Sequence, residues 1–184
     1  MSADAAVSVL ETPRLVLRRL STDDAEFILA LLTDPAFLRY IGDKGVRTIA
    51  DARNYIETGP VASYHQFGFG LYLVATKEGG MPVGMCGLLK RESLPAADIG
   101  FAFLPQHRSK GYALEAAHAV LAYGRDQLGL DRILAITDPN NAGSIRILQK
   151  IGLRFERKVR LSDDAKELRL YSSDRVESEG AEAP

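Results

Sequence analysis

The 184-residue chain has one cysteine, Cys86, so no intrachain disulfide can form, and a reducing cytoplasm is the compartment that fits. The net charge is −1, which removes any general electrostatic pull toward nucleic acid. No stretch approaches the run of about 18 apolar residues that a membrane-spanning helix needs. The opening segment, MSADAAVSVLETPR, lacks early basic residues and an adequate apolar core, so it does not read as a signal peptide. The three histidines and the cysteine are scattered without a repeating ligand spacing, and no metal centre is expected. No internal repeat or low-complexity linker divides the chain.

What is present describes an ordinary soluble globular protein: 46% hydrophobic and 26% charged residues. The length suits one domain with a core large enough to fold without metals or disulfides. The reading divides the chain into an N-terminal extension over 1–11, a folded domain over 12–174 and an acidic, mobile tail over 175–184.

The pattern along the chain alternates between two periods. LVLRRL, from Leu15 to Leu20, predicts a first strand. Ser21-Thr22-Asp23-Asp24 starts a helix whose apolar residues Ala25, Ile28, Leu29 and Leu32 recur at helical spacing. Asp34-Pro35 breaks it, with a restart toward Tyr40. Thr48-Ile49-Ala50-Asp51 opens a second helical region through about Tyr64, interrupted near Gly59-Pro60. GLYLVATK and PVGMCGLLKR form a hairpin around EGGMP, and Asp98 to Leu104 is a third strand. A long helix spans about Gly111 to Leu128, with Ala113, Ala117, Val120, Leu121 and Leu128 as its apolar stripe. Arg132 to Thr137 is a buried strand. A cap at Asp138-Pro139-Asn140-Asn141 leads to a short helix over Ile145 to Ile151. Two strands, Leu153 to Leu161 and Glu167 to Ser172, close the chain. The order predicts an α/β or α+β domain on one mixed sheet.

The segment with most chemical content is LPQHRSKGYA, from Leu104 to Ala113. A strand ends there, a basic loop with a glycine follows, and a long helix begins. The first N–H groups of a helix have no partners within it, and they point along the positive end of its dipole. A phosphate can accept from several of them at once. Gly111 permits close backbone approach, Ala113 is small, and Arg108 and Lys110 add positive charge, so a phosphorylated cofactor is the expected ligand. A plain left-handed turn with solvated basic residues would leave the same spacing. The loop is neither a Walker sequence nor a dinucleotide fingerprint, because their further glycines are missing.

Arg108-x-x-Gly111-x-Ala113 resembles the R/Q-x-x-G-x-G/A pyrophosphate loop of the GNAT acetyltransferases. The surrounding IGFAFLPQHRSKGYALEA is similar to the branch that includes the ribosomal-protein N-acetyltransferases. A second block, Asn141-Ala142-Gly143-Ser144 followed by Leu148-Gln149-Lys150-Ile151-Gly152-Leu153, resembles that branch's N-x-x-S-x-x-x-L-E-K-x-G-F. Glu11-Thr12-Pro13-Arg14-Leu15-Val16-Leu17-Arg18 resembles its first strand. The likeness runs in order from about Thr12 to Leu170.

The resemblance implies a single mixed, mostly antiparallel sheet, splayed between its central strands, with helices on both faces. The splayed pair would be Asp98–Leu104 and Arg132–Thr137. It implies acetyl-CoA as cofactor, with the pantetheine arm bonded to backbone near Phe101, Ala102 and Phe103. The diphosphate would sit on the N–H groups of Ser109, Lys110, Gly111, Tyr112 and Ala113, and Asn141 would bond the pantetheine. The implied reaction is direct transfer to an amine in a ternary complex, with backbone N–H groups stabilising the oxyanion.

The base and the acid are less well marked. Asp98 or Glu92 is the candidate base, with a solvated or structural carboxylate the commoner fate for both, and a water chain could also serve. One GNAT branch has a tyrosine seven residues after the matched asparagine and a glutamate five before it. Leu148 and Ile136 stand there, which argues against that acid–base pair. Ser144 is the candidate acid, with a first-turn hydrogen bond as its alternative role. Cys86 reads as a buried, inert thiol. His107 and His118 are expected at the surface, and His65 at the start of a loop. Tyr40, Tyr55, Tyr64, Phe67 and Phe69 either line an acceptor cleft or pack in the core. The expected partners are acetyl-CoA and an amine, either a protein N-terminus or a small molecule, with no nucleic acid and no membrane. The chain is expected to be a monomer or homodimer. The alternative reading is a non-catalytic acyl-CoA-sensing module.

Overall fold

A computed structural model describes residues 8–173. The expected tail over 175–184 lies outside the described residues. Eight strands form one sheet in the order β1-β2-β3-β4-β5-β6-β8-β7. β1 (Ser8–Glu11) pairs antiparallel with β2 (Leu15–Arg19), so part of the expected extension is an edge strand. β2 pairs with β3 (Leu71–Thr76), β3 with β4 (Pro82–Leu89), and β4 with β5 (Asp98–Phe103), all antiparallel. β6 (Leu134–Thr137) lies parallel to β5, and β8 (Leu168–Ser172) joins it to β7 (Arg154–Val159). The sheet is therefore mixed and mostly antiparallel, as the resemblance implies.

Helices cover both faces. A 3-10 turn at Thr22–Asp24 leads into α1 (Ala25–Leu32), and α2 (Pro35–Tyr40) follows the break at Asp34. Asp34 accepts the N–H groups of Ala36 and Phe37 at 3.1 Å each, and Pro35 needs no partner for an N–H it lacks. α3 (Ile49–Ile56) starts at Thr48, whose hydroxyl accepts from Asp51 N–H while the Asp51 carboxylate accepts from Thr48 N–H. The expected interruption at Gly59-Pro60 is instead a wide π turn, Glu57–Val61, that runs straight into α4 (Ala62–Phe67). The wider turn accommodates a proline ring that would clash in a regular α-turn. His65 consequently lies within α4 rather than opening a loop. α5 is Tyr112–Asp126, and α6 (Ala142–Lys150) begins before the expected Ile145 because Asn141 is its cap.

Alternation along the strands separates two cores. Leu17, Tyr72, Val74, Cys86, Ile99 and Phe103 pack with Ala117, Val120 and Leu121 of α5 and Leu148 of α6. On the other face Leu73, Met85 and Ala102 pack with Ile28, Leu31 and Leu32 of α1 and Ala52 and Ile56 of α3. A smaller cluster gathers Leu94, Leu134, Val159, Leu168 and Leu170 where the β4–β5 loop crosses the far strands. No helix among the described residues is long and apolar enough to cross a membrane.

Tyr64 ties three of these elements together. Its hydroxyl accepts Leu20 N–H at 3.1 Å, just past β2, and donates to the carbonyl of Leu71 on β3. Tyr64→Phe leaves the buried Leu20 N–H unpaired, and should cost about 1–3 kcal/mol of stability. Urea unfolding monitored by circular dichroism checks this; a midpoint equal to the parent's would show that water replaces the bond.

Candidate active site

The sheet opens at one place. β5 pairs with β4 along its whole length, from Gly84↔Phe103 to Leu89↔Asp98, but meets β6 only at Asp98↔Leu134. Leu134 N–H reaches Ala97 O at 2.9 Å at that joint. Beyond it no ladder pair connects the two strands, while β6 keeps all four of its residues paired with β8. Alternation from Ala97 O, which faces β6, turns the N–H and C=O groups of Phe101 and Phe103 toward that open side, while those of Ala102 face Met85 on β4. Ala102, expected on that edge with its two neighbours, bonds toward β4 instead.

At the open end, β5 runs into a 3-10 turn (Pro105–His107) and then the loop before α5. Ser109 has φ 60° and Gly111 φ 81°, so two left-handed residues flank Lys110. The conformation suits glycine but is strained for serine. Such turns direct successive N–H groups into one concavity. The first N–H bonded within α5 is that of Glu115, to Gly111 O at 3.0 Å. Those of Tyr112, Ala113 and Leu114 come earlier in the helix and lack such partners, and Gly111 offers no capping side chain. This is the donor-rich turn expected from the spacing. His107 departs from expectation: the 3-10 turn folds it inward, leaving it 9% exposed. Burial, aided by nearby Lys110, holds its imidazole below the usual range.

Two latches hold the loop. Arg14 donates from Nε to Glu115 at 2.7 Å and from Nη1 to Lys110 O at 2.9 Å, and it lies over the Tyr112 ring at 4.8 Å. The Thr12 hydroxyl and the Arg14 N–H donate to the other Glu115 oxygen at 2.5 and 2.9 Å. Burial pushes the Glu115 carboxyl up, but these bonds outweigh it and hold it below its ordinary value. The Thr12–Arg14 block, matched by resemblance without a role, is thus the brace of the loop. The second latch is Arg108. Its Nε donates to Phe103 O at 2.9 Å and its Nη2 to Asp34 at 2.6 Å. The guanidinium expected to serve as a cofactor cation is committed to the protein itself. Only the Asp34-Pro35 break hinted at Asp34.

The candidate catalytic groups are dispersed. Asp98 is 1% exposed at the β5–β6 joint, on the same strand face as Gly100 and Ala102, and accepts from Arg91 Nε at 2.9 Å. Burial raises its carboxyl above the usual range, and Arg91 opposes that rise without cancelling it. Tyr55 of α3 shares these surroundings: burial raises its hydroxyl while Arg91 pulls the other way. Glu92 is exposed on the turn after β4. Asn141 uses Oδ1 to accept Ser144 N–H at 3.1 Å, which leaves its amide nitrogen as a donor. Ser144 is half-buried in the first turn of α6. Of the aromatic group, Tyr64 and Phe69 are core residues, Tyr40 and Tyr55 are half-buried, and Phe67 is exposed. Cys86 is fully buried and its thiol is pushed up by burial, as an inert core residue would be. His118 is exposed. No cluster of histidine, cysteine or carboxylate side chains among the described residues could hold a metal ion.

A mixed sheet with one opened seam, and a helix start aimed past the end of that seam, is the framework of an acyltransferase. The comparisons agree. The acetyltransferase (GNAT) domain model matches residues 14–154. The uncharacterized N-acetyltransferase YoaA of Bacillus subtilis is 33% identical over 154 residues, covering 83% of this chain and 86% of that protein. A GNAT-family acetyltransferase structure from Bacillus anthracis superposes with TM-score 0.73 at 28% identity, over 89% of this chain and 96% of that one. The ribosomal-protein-S5-alanine acetyltransferase of Vibrio fischeri shares the fold with TM-score 0.73 at 16% identity, over 93% and 98% of the two chains. The chain belongs to the GNAT acetyltransferase family, and it is an enzyme of the acyltransferase class.

Asp98 should leave a signature in stability. With its folded pKa raised, its contribution is fully present below the unfolded value of about 3.9. It is lost as pH rises through the folded value, because the unfolded state releases the proton first. Asp98→Asn should remove that decline. Urea titrations of both proteins from pH 4 to 7 test it, and parallel stability profiles would show that Asp98 titrates normally.

Proposed function

We propose that the protein is an acetyl-CoA-dependent N-acetyltransferase that moves an acetyl group directly to a primary amine, at a protein N-terminus or on a small molecule. The observation that carries this reading is that two features adjoin at the end of β5: a backbone edge at Phe101 and Phe103 that no strand pairs, with Arg108 taking only Phe103 O, and a donor-rich turn at Ser109–Ala113 just beyond it. A long ligand with a polar arm at one end and a diphosphate farther along suits that pair. The residues fit such a group: the N–H groups of Tyr112, Ala113 and Leu114 have no partners within α5, and Gly111 carries no side chain beside them, where a Cβ would press on Arg14 Nη2 at 3.1 Å.

Acetyl-CoA supplies an activated acetyl thioester. The amides of Ser109 to Ala113 hold the diphosphate, with exposed Lys110 adding charge. The edge at Phe101 and Phe103 and the Asn141 amide nitrogen orient the pantetheine arm. N–H groups on that edge stabilise negative charge on the carbonyl oxygen during attack. As the C–N bond forms and the C–S bond breaks, Asp98, with its raised carboxyl, takes the amine proton directly or through water, and Ser144 relays a proton from solvent to the departing thiolate, regaining its own. Glu92, exposed on its turn, is the less suited of the two carboxylates. Tyr40 and Tyr55 lie on the face where the amine would approach.

The reading is tested by mixing the protein with acetyl-CoA and a panel of peptides and small amines, and following release of free thiol. No thiol above the rate with acetyl-CoA alone, across a broad panel, would count against it. Gly111→Glu adds bulk and negative charge where φ is 81°. It should weaken CoA binding by at least about 100-fold in calorimetry, or about 2.7 kcal/mol, with the circular dichroism spectrum unchanged. Unaltered affinity would remove the loop from the site. Ser144→Ala should lower kcat by about 100-fold, with the dissociation constant for CoA within about twofold of the parent. An unchanged kcat would exclude Ser144 as the acid.

A further inference from the structure

α2 has six residues and is tied to a different side of the open seam at each end. At its start, Asp34 caps it with Oδ2, and the same oxygen receives Arg108 Nη2 at 2.6 Å. Arg108 also holds Phe103 O, the last carbonyl of β5. At its end, Lys166 Nζ donates to the carbonyls of Arg39 and Tyr40 at 3.3 Å each, and to Asp138 Oδ2 at 3.0 Å. Asp138 directly follows β6, and Lys166 sits between β7 and β8. The helix thus runs from the C-terminal end of β5 to the C-terminal end of β6. Six helical residues measure about 9 Å. That exceeds the spacing of about 4.8 Å between hydrogen-bonded strands, so the helix is long enough to reach across the parted pair.

The two attachments differ in strength. Asp34 has a side-chain exposure of 6% against 40% for Arg108, so that pair is partly removed from water. Lys166 is 46% exposed and Asp138 13%, similar values, but its bonds are longer, 3.0 and 3.3 Å against 2.6 Å, and it is a single ammonium rather than a guanidinium that also holds Phe103 O. The Lys166 end is the more loosely bonded of the two.

We propose that α2 is a crossbar over the seam: Arg108 and Lys166 are positioning residues that pin it to the two rims, hold β5 and β6 a set distance apart, and govern how fast a coenzyme enters and leaves. The claim on access rests on the coenzyme reading above. The pinning itself does not.

Two variants, Lys166→Ala and Lys166→Arg, separate the possibilities. In Lys166→Ala, pulsed hydrogen exchange in the peptide covering 35–41 should speed up by about tenfold, with the melting temperature within about 2 °C of the parent. CoA association and dissociation, followed by surface plasmon resonance, should both accelerate by similar factors, so that affinity barely changes. A merely structural lysine would alter stability or affinity without speeding both rates together. Lys166→Arg should restore parental exchange and rates. In the parent chain, 1 M NaCl, where the Debye length is about 3 Å, should act in the same direction as Lys166→Ala. Unchanged exchange in Lys166→Ala would overturn the crossbar. Faster exchange with unchanged CoA rates would overturn its control of access. Failure of the parent chain to bind CoA would overturn the coenzyme reading and the access claim with it; it shows before any substitution, and exchange still decides the pinning.

Discussion

The structure depends on one incomplete ladder. β5 satisfies its β4 side along six residues and its β6 side at a single residue pair. An unpaired strand edge inside a folded protein is costly unless something else bonds to it. Here the surroundings hold the edge open. Both neighbouring ladders are complete, so β5 moves with β4 and β6 with β8, and contacts across the gap decide how far the two halves stand apart. The proposed pantetheine arm would complete the ladder as a strand would, and that gives the opening a physical use.

The rest of the site is arranged around that seam in two shells of polar contacts. Arg14, Thr12 and Glu115 fasten the start of α5 to the first long strand, which fixes the direction of its unpaired amides. Arg108 and Asp34 fasten the end of β5 to the helices on the opposite face. The loop between them holds a serine in a left-handed conformation that an unconstrained chain would avoid. Strain at Ser109 persists because neighbours on both sides are pinned.

Much of this was legible beforehand, and the reasons are particular. The strands from β2 onward, α5 and the donor-rich turn before it follow from local signals: alternation, helical spacing and a glycine at a helix start. The splayed pair followed from resemblance, since no local pattern distinguishes a parted strand from a paired one. The misreadings were of other kinds. β1 was hidden because Ser8–Glu11 has little apolar patterning and gains its order from β2. Gly59-Pro60 looked like a break because a π turn leaves no signature in composition. His107 looked exposed because burial of a loop residue depends on which way the turn folds.

The sequence by itself determined most of the elements, the family, and the donor-rich start of α5, because each is written in neighbouring residues or in a matched block. Tertiary structure alone decided that Arg108 grips Asp34 rather than standing free, that Arg14 braces the loop through Glu115, and that Lys166 reaches the end of α2. These partners are brought together from distant parts of the chain. Charge pairing at that range has no sequence signal, because any of the chain's 23 basic residues could in principle meet any of its 24 acidic ones, and only the packed fold selects which do.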